Sequence, residues 1–146
     1  RLPAEAPLED RAMRLDAASQ WAFENARPVL VDVEPGTCTL DPAKIEAAIT
    51  PRTKAILPVH LYGRCADMDP ILAIGKKHGI PVVDDAAEAI GSIDHGKRSG
   101  SMGVFETFSL HGTKTITAGE GGMFVTNDDT LYEKILTLSI TDDLGG

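Results

Sequence analysis

Lys114 is the residue whose type and setting best suit covalent chemistry with a carbonyl group. It stands in Ser109-Leu-His-Gly-Thr-Lys114-Thr-Ile-Thr-Ala-Gly119-Glu-Gly-Gly122, a loop of small residues between two strand-like runs. A lysine amine forms imines once burial or neighbouring cations lower its pKa, and loops on a rigid sheet commonly carry such groups. Taken alone, however, the residue is better explained as a solvated surface charge.

Two carboxylates lie upstream, at the end of an apolar run. The segment is Ile80-Pro-Val-Val-Asp84-Asp85-Ala-Ala-Glu88-Ala. In open parallel sheets, ligands bind at the carboxyl ends of the strands. An aspartate, a serine and a lysine at neighbouring strand ends, with a glycine-rich turn, suit the ring nitrogen, phosphate and aldehyde of one cofactor. That pattern points to pyridoxal 5'-phosphate.

The elements that must position these residues follow an alternation of strand and helix. Apolar residues from Leu8 to Phe23 recur at helical spacing and predict an amphipathic helix. Strands are predicted at 29–33, 55–59 and 81–84. Helices are predicted after the caps Asp41, Asp67 or Asp69, and Asn127 or Asp128. This alternation predicts an α/β fold with a mostly parallel sheet flanked by helices.

The two last strand candidates, 104–110 and 123–126, are expected to pair differently. The connection between them contains Lys114 and many Gly and Thr residues, and it shows no amphipathic helical period. Without a crossover helix, antiparallel pairing is favoured. The sequence therefore predicts one antiparallel strand after the lysine loop.

Composition excludes several other classes of protein. The chain has 146 residues, a formal net charge of -8 and no run of Lys or Arg, so nucleic acid is not an expected partner. No apolar stretch is long enough to cross a bilayer, and we expect a cytoplasmic protein without a membrane partner. Cys38 and Cys65 are expected to be reduced thiols. The four histidines lack close metal-ligand spacing, so no metal site is predicted.

Several segments, in order and with matching spacing, resemble the DegT and StrS family of sugar aminotransferases. They are Arg27-Pro-Val-Leu-Val-Asp-Val, Pro58-Val-His-Leu-Tyr-Gly63, Asp84-Asp-Ala-Ala-Glu88, Phe108-Ser109, Lys114 and Gly119-Glu-Gly-Gly122. The resemblance implies fold type I with pyridoxal phosphate as cofactor. It also implies transfer of an amino group from glutamate to a nucleotide-linked keto sugar of the 4-keto-6-deoxy class, in a homodimer.

The resemblance also assigns roles to individual residues. Lys114 would form the imine with the cofactor and act as base and acid. Asp85, which matches the carboxylate just before Ala-Ala, would pair with the ring nitrogen. From its position at the end of a strand, either Asp84 or Asp85 could instead cap a helix beginning near Ala86, and the two roles are compatible if Asp84 caps and Asp85 binds. Ser109 would bind the cofactor phosphate. Glu88 would lie near the phenolic oxygen, although a solvated glutamate in a first helical turn explains it nearly as well.

Relatives in this family are several hundred residues long, so the chain is expected to be the middle portion of such an enzyme. We expect residues 1–26 to form a poorly matched helical segment and residues 27–146 to form part of the large domain. Two alternatives stay open. One is a dehydratase relative with the same cofactor, for which a histidine in place of Lys114 would be expected. The other is a non-catalytic fragment or interaction module.

Overall fold

The computed structural model describes residues 27–142 of the chain. The chain separates into two compact units, Arg1–Leu30 and Val31–Gly146, and the second contains every element described below. The helix predicted from Leu8 to Phe23 lies outside the described residues. The predicted boundary between residues 26 and 27 stays a prediction.

Three helices and five strands make up the described part of the second unit. In chain order they are α1 (Pro42–Ala48), α2 (Met68–His78), β1 (Val83–Asp85), β2 (Ile93–Asp94), β3 (Lys97–Arg98), β4 (Phe105–Ser109), β5 (Gly122–Val125) and α3 (Asp129–Asp142). The predicted α/β class is confirmed.

The sheet that carries the lysine loop has the strand order β1-β4-β5. Strand β1 pairs with β4 in parallel, with Asp85 opposite Thr107. Strand β5 pairs with β4 in antiparallel orientation, with Gly122 opposite Ser109. The antiparallel strand after the lysine loop is thus present where the sequence predicted it.

The predicted strand at 55–59 extends this sheet beyond β1, although proline interrupts its ladder. Ile56 and Val59 form isolated parallel bridges with Val82 and Asp85. The amide of Asp85 donates to the carbonyl of Pro58 at 3.0 Å. Pro58 has no N–H to continue the ladder, which is why a regular strand becomes two separate bridges.

Two local predictions were wrong. The segment 29–33 forms no strand: Val33 makes one antiparallel bridge to Leu40, because the chain turns back sharply after Glu34. No helix begins near Ala86 either. The amide of Ala86 donates to Thr107 on β4 at 3.0 Å, and the following residues form turns instead.

A short hairpin, β2 and β3, was missed by the sequence analysis. His95 and Gly96 connect the two strands with φ of 45° and 82°. Positive φ at both central residues is the geometry of a tight two-residue hairpin turn, for which a polar residue followed by Gly is a recognised signal. The pattern was therefore readable in the sequence.

The main core lies between the helices and the sheet. Its fully or nearly fully buried members are Ile45, Ile56, Ala66, Met68, Ile71, Val82 and Met102. Helix α2 approaches β1 closely at Gly75, where an added Cβ would lie 2.7 Å from Cγ2 of Val82. This contact fixes the helix against the strand that carries the candidate site.

The N-caps of α1 and α3 agree with the predictions. Asp41 accepts from the amide of Ala43 at 3.0 Å, with Pro42 in the first helical turn. Asp128 accepts from the amide of Leu131 at 3.0 Å, which selects it over Asn127 as the cap of α3. The predicted buried stripe of α3 is only half-buried at Leu131 and Ile135.

Candidate functional site

The two faces of the β1-β4 pair have different characters. Because side chains alternate along strands, the register places Asp85, Thr107 and Ser109 on one face and Asp84 and Glu106 on the other. The first three are half-buried, while Asp84 and Glu106 are buried. Ser109 lies two residues beyond the level of Asp85, a rise of about 7 Å along β4. The open face therefore carries a carboxylate and a hydroxyl at the carboxyl ends of adjacent parallel strands.

Asp85, not Asp84, stabilises the turn that follows β1. Its Oδ1 accepts from the amide of Ala87 at 3.0 Å. Asp84 points to the other face, where its Oδ2 accepts from the amide of Gly103 at 2.9 Å. Of the two candidate caps, Asp85 therefore makes the contact, because the alternation of β1 turns Asp84 into the core. A carboxylate accepts several hydrogen bonds, so the capping contact is compatible with a ligand role for Asp85.

Ser109, the last residue of β4, combines a strand position with a short polar contact. Its Oγ accepts from the amide of His111 at 3.3 Å, at the start of the lysine loop. Because the oxygen acts as the acceptor in this bond, the hydroxyl proton can be donated to another group. Ser109 is thus placed to offer a hydrogen bond on the open face.

The lysine loop is closed at its base by backbone hydrogen bonds. The amide of Leu110 donates to Gly121 at 2.9 Å, and its carbonyl accepts from the amide of Ala118 at 2.9 Å. Gly119 and Gly121 have φ of 90° and 115°, a region that favours glycine. These contacts hold the two ends of the loop together beside the end of β4, and Lys114 lies within it.

The structure brings Lys114 and Glu88 into direct contact. Nζ of Lys114 lies 3.2 Å from Oε1 of Glu88, and the two side chains are only 23% and 32% exposed. Lys114 is therefore not the fully solvated surface charge that was the competing interpretation. Its amine is held near the end of β1 by the carboxylate three residues after Asp85.

Glu88 also holds the turn that contains Tyr62 and Gly63. Its Oε2 accepts from the amide of Tyr62 at 3.2 Å, and its carbonyl oxygen accepts from the amide of Gly63 at 2.9 Å. The bond from Tyr62, together with the ammonium of Lys114, holds the pKa of Glu88 below its ordinary value against the opposing effect of burial. Glu88 thus lies in a turn as an ion-paired residue.

The contribution of the Tyr62 backbone was missed by the sequence analysis. Tyr62 and Gly63 have φ of 52° and 77°, and Leu61 and Arg64 close the turn with two reciprocal hydrogen bonds of 3.0 Å. The Tyr-Gly pair between two strand-like segments was the available signal. Its partner Glu88, 26 residues later, could not be inferred from it.

Solved structures define the class of protein to which this arrangement belongs. The chain superposes on DesI, solved in the presence of its TDP-sugar product, with a TM-score of 0.79 and 38% identity, covering 87% of this chain and 33% of that one. It matches E. coli GDP-4-keto-6-deoxy-D-mannose-3-dehydratase with bound hydrated PLP at a TM-score of 0.68 and 34% identity, covering 73% of this chain and 27% of that one. The fold is that of part of a fold type I pyridoxal phosphate enzyme.

The sequence comparison then gives the family. The model of the DegT/DnrJ/EryC1/StrS aminotransferase family matches residues 17–142, and the chain belongs to this family. GDP-perosamine synthase from Caulobacter vibrioides is 56% identical over 122 residues, which are 84% of this chain and 33% of the relative. The chain therefore spans about a third of the length of the curated relatives it matches. The family is one of pyridoxal-phosphate-dependent aminotransferases, and sugar aminotransferases are among the relatives of this chain.

Among residues 27–142, no helix combines the length and the apolar character that crossing a bilayer requires.

Proposed function

We propose that this chain forms the cofactor-binding part of an aminotransferase that acts on a nucleotide-linked keto sugar. The observation that carries the proposal is the amine of Lys114, held 3.2 Å from Glu88 beside the strand ends that bear Asp85 and Ser109. An amine, a carboxylate and a hydroxyl with these roles are the groups that pyridoxal phosphate requires.

The residues fit this cofactor on the grounds of charge and placement. Asp85 supplies a carboxylate for a protonated ring nitrogen, and Ser109 supplies a hydroxyl for a phosphate oxygen. Both lie on the half-buried face of the β1-β4 pair rather than on the buried face. When bound, pyridoxal phosphate supplies an aldehyde that reacts with amines and a ring that withdraws electrons from the reacting carbon.

Three side chains of this protein would have separate roles in the reaction. Nζ of Lys114 takes a proton from the substrate carbon and returns it at another atom, which needs a flexible primary amine. Asp85 keeps the ring nitrogen protonated by pairing with it. Glu88 orients Lys114 through its ion pair and fixes the turn at Tyr62, which borders the same region.

The finer substrate assignment rests on the family resemblance and on relatives. We propose a sugar of the 4-keto-6-deoxy class as amino acceptor and glutamate as donor, in a cytoplasmic homodimer. The related GDP-perosamine synthase and the TDP-sugar-bound DesI support a nucleotide-linked sugar. Lys114 favours amino transfer over dehydration, since the resemblance associates a histidine at this position with dehydratases.

Selective labelling tests the cofactor assignment directly. The chain would be titrated with pyridoxal 5'-phosphate, reduced with borohydride, and mapped by mass spectrometry. Lys114 should be labelled at lower cofactor concentration than Lys54, an exposed lysine that serves as an internal control. K114A should lose this high-affinity label and K54A should retain it. Equal labelling of Lys114 and Lys54 would contradict the assignment.

A second assay separates the candidate functions. The cofactor-loaded chain would be incubated with glutamate and GDP- or TDP-linked 4-keto-6-deoxy sugars, and amino sugar and 2-oxoglutarate would be measured. Formation of both supports aminotransfer, whereas loss of water from the sugar without amination indicates a dehydratase. Cofactor labelling of Lys114 without any turnover would favour the non-catalytic fragment.

A further inference from the structure

A buried cluster of three titratable side chains lies on the core face of the sheet, opposite the candidate cofactor site. His60 and Asp84 are 0% exposed and Glu106 is 1% exposed, and one polar side-chain atom from each lies within 4.8 Å of the others. The register pairs Asp84 directly with Glu106. Such a set of side chains can hold either a metal ion or a proton.

The tautomer of His60 favours a cluster that holds a proton over one that holds a metal ion. Nδ1 of His60 accepts from the amide of Ala66 at 3.1 Å. A neutral imidazole has one acceptor nitrogen, so its proton lies on Nε2, and a protonated nitrogen has no lone pair for a metal ion. Burial lowers the pKa of His60 and keeps the ring neutral, although Glu106, Asp85 and Asp94 oppose this effect.

The hydrogen bonds of the two carboxyl groups are unequal. Glu106 accepts from the amides of Gly100 and Met102 and from the hydroxyl of Ser99. Asp84 accepts only from the amide of Gly103, through Oδ2, and no donor among the residues that the structure describes reaches its Oδ1. Glu106 thus accepts three hydrogen bonds, whereas an ionised Asp84 would leave one buried oxygen unpaired.

We propose that Asp84 is a buried carboxylic acid that shares its proton with the carboxylate of Glu106, beside the buried imidazole of His60. The Asp84–Glu106 pair links β1 to β4. It also holds the loop 99–103 through the amides of Gly100, Met102 and Gly103. Asp84 and Glu106 are thus positioning residues for the two strands that carry Asp85 and Ser109. The interaction between Asp84 and Glu106 does not require the proposed cofactor role of Asp85 and Ser109.

The electrostatics of the surroundings are consistent with this arrangement. Burial first, and then the hydrogen bond and charge of Glu106, raise the pKa of Asp84 to about 8, against the opposing effect of the Gly103 amide. The other titratable groups near the cluster are Cys65, Asp85 and Asp94. Burial and the charges of Asp94, Glu106 and Asp84 raise the pKa of Cys65 to about 11, so this thiol stays neutral while Asp84 titrates.

The sign of the pH dependence follows from linkage. The pKa of Asp84 is higher in the folded chain than in the unfolded one, so the folded chain binds an additional proton between the two values. This contribution to stability is fully present below about pH 4 and is lost as the pH rises toward about 8.

The experiment is a carboxyl titration of the 146-residue chain by carbon-13 NMR and infrared spectroscopy. We expect one protonated carboxyl group at pH 6.5 that is lost in D84N and kept in D85N, the neighbour on the opposite face. E106Q should lower its titration midpoint. If D84N does not fold, the titration of the parent chain is decisive by itself, since it needs no variant.

The pH dependence of the unfolding free energy provides a second, independent test of the proposal. The unfolding free energy of the parent chain should fall relative to that of D84N between pH 4 and pH 8, with a slope of about one proton. Parallel pH curves for the two proteins, or complete ionisation of all carboxyl groups at pH 6.5, would overturn the proposal. Saturable stabilisation by Zn²⁺ that is lost in H60A would instead establish a metal site and equally overturn it.

Discussion

Glu88 contacts Lys114 with one carboxylate oxygen and the amide of Tyr62 with the other, at 3.2 Å each. A single side chain thereby connects the lysine loop to the 61–64 turn, and Asp85 lies three residues before it in the sequence. The pair is well shielded for a surface ion pair, with both side chains less than a third exposed. This relationship gives the candidate site a defined geometry on three different segments.

Replacement of Glu88 by glutamine should lower stability in a pH-dependent way. The folded-state pKa of Glu88 is lowered, so its contribution is present above the ordinary glutamate pKa and is lost as the pH falls through the folded value. We expect E88Q to cost up to about 1 kcal/mol of unfolding free energy at pH 7 and nearly nothing at pH 3. Urea denaturation at the two pH values measures this. A cost that is equal at both values would show that the charge of Glu88 contributes nothing.

Removal of the Ser109 hydroxyl should weaken binding of the cofactor through its phosphate alone. S109A should reduce the affinity for pyridoxal 5'-phosphate by about ten- to a hundredfold, since a hydrogen bond to a charged group contributes roughly 1.5–3 kcal/mol. Binding of pyridoxal, which lacks the phosphate, should be unchanged. The measurement is the cofactor concentration that half-saturates labelling of Lys114. A similar loss for both ligands would assign Ser109 a structural role instead.

A methyl group at residue 103 should be poorly tolerated. An added Cβ at Gly103 would lie 2.7 Å from both Oδ1 of Asp84 and the carbonyl oxygen of Val82. Overpacking of this kind costs about 1–3 kcal/mol. G103A should therefore show a lower unfolding midpoint than the parent chain.

Gly112 provides the matched control for this substitution. There, the nearest atom to an added Cβ is the carbonyl oxygen of Gly119 at 3.8 Å, an ordinary van der Waals contact. We expect G112A to unfold within about 0.5 kcal/mol of the parent chain. Equal destabilisation by the two variants would argue against the close packing around Asp84.

The two cysteines should differ in reactivity. Cys65 is partly buried with its pKa raised to about 11, whereas Cys38 is exposed. Because the thiolate is the nucleophile, alkylation of Cys65 by iodoacetamide at pH 8 should be at least about tenfold slower than that of Cys38. Peptide mapping over time measures both rates in one sample. The difference should disappear in urea, and its persistence there would show that folding is not its cause.

The prediction of the fold succeeded where the signals are local. The caps at Asp41 and Asp128 depend on a few neighbouring residues, and the missing helical period between β4 and β5 correctly predicted antiparallel pairing. The strand predicted at 29–33 failed because apolar composition does not specify a pairing partner. Chain reversal after Glu34 gave Val33 a nearby antiparallel partner instead.

The reactive groups of this protein can be identified from its amino-acid sequence: a lysine in a glycine-rich loop, carboxylates at a strand end, and the motifs of a family whose membership the comparisons confirm. Folding sets where each of these groups lies. Alternation along β1 and its register with β4 turn Asp85 to the open face and Asp84 into the core beside Glu106. The contact between Glu88 and Lys114 joins residues 26 positions apart. Such contacts depend on strand register and loop closure, which arise only when the whole chain packs.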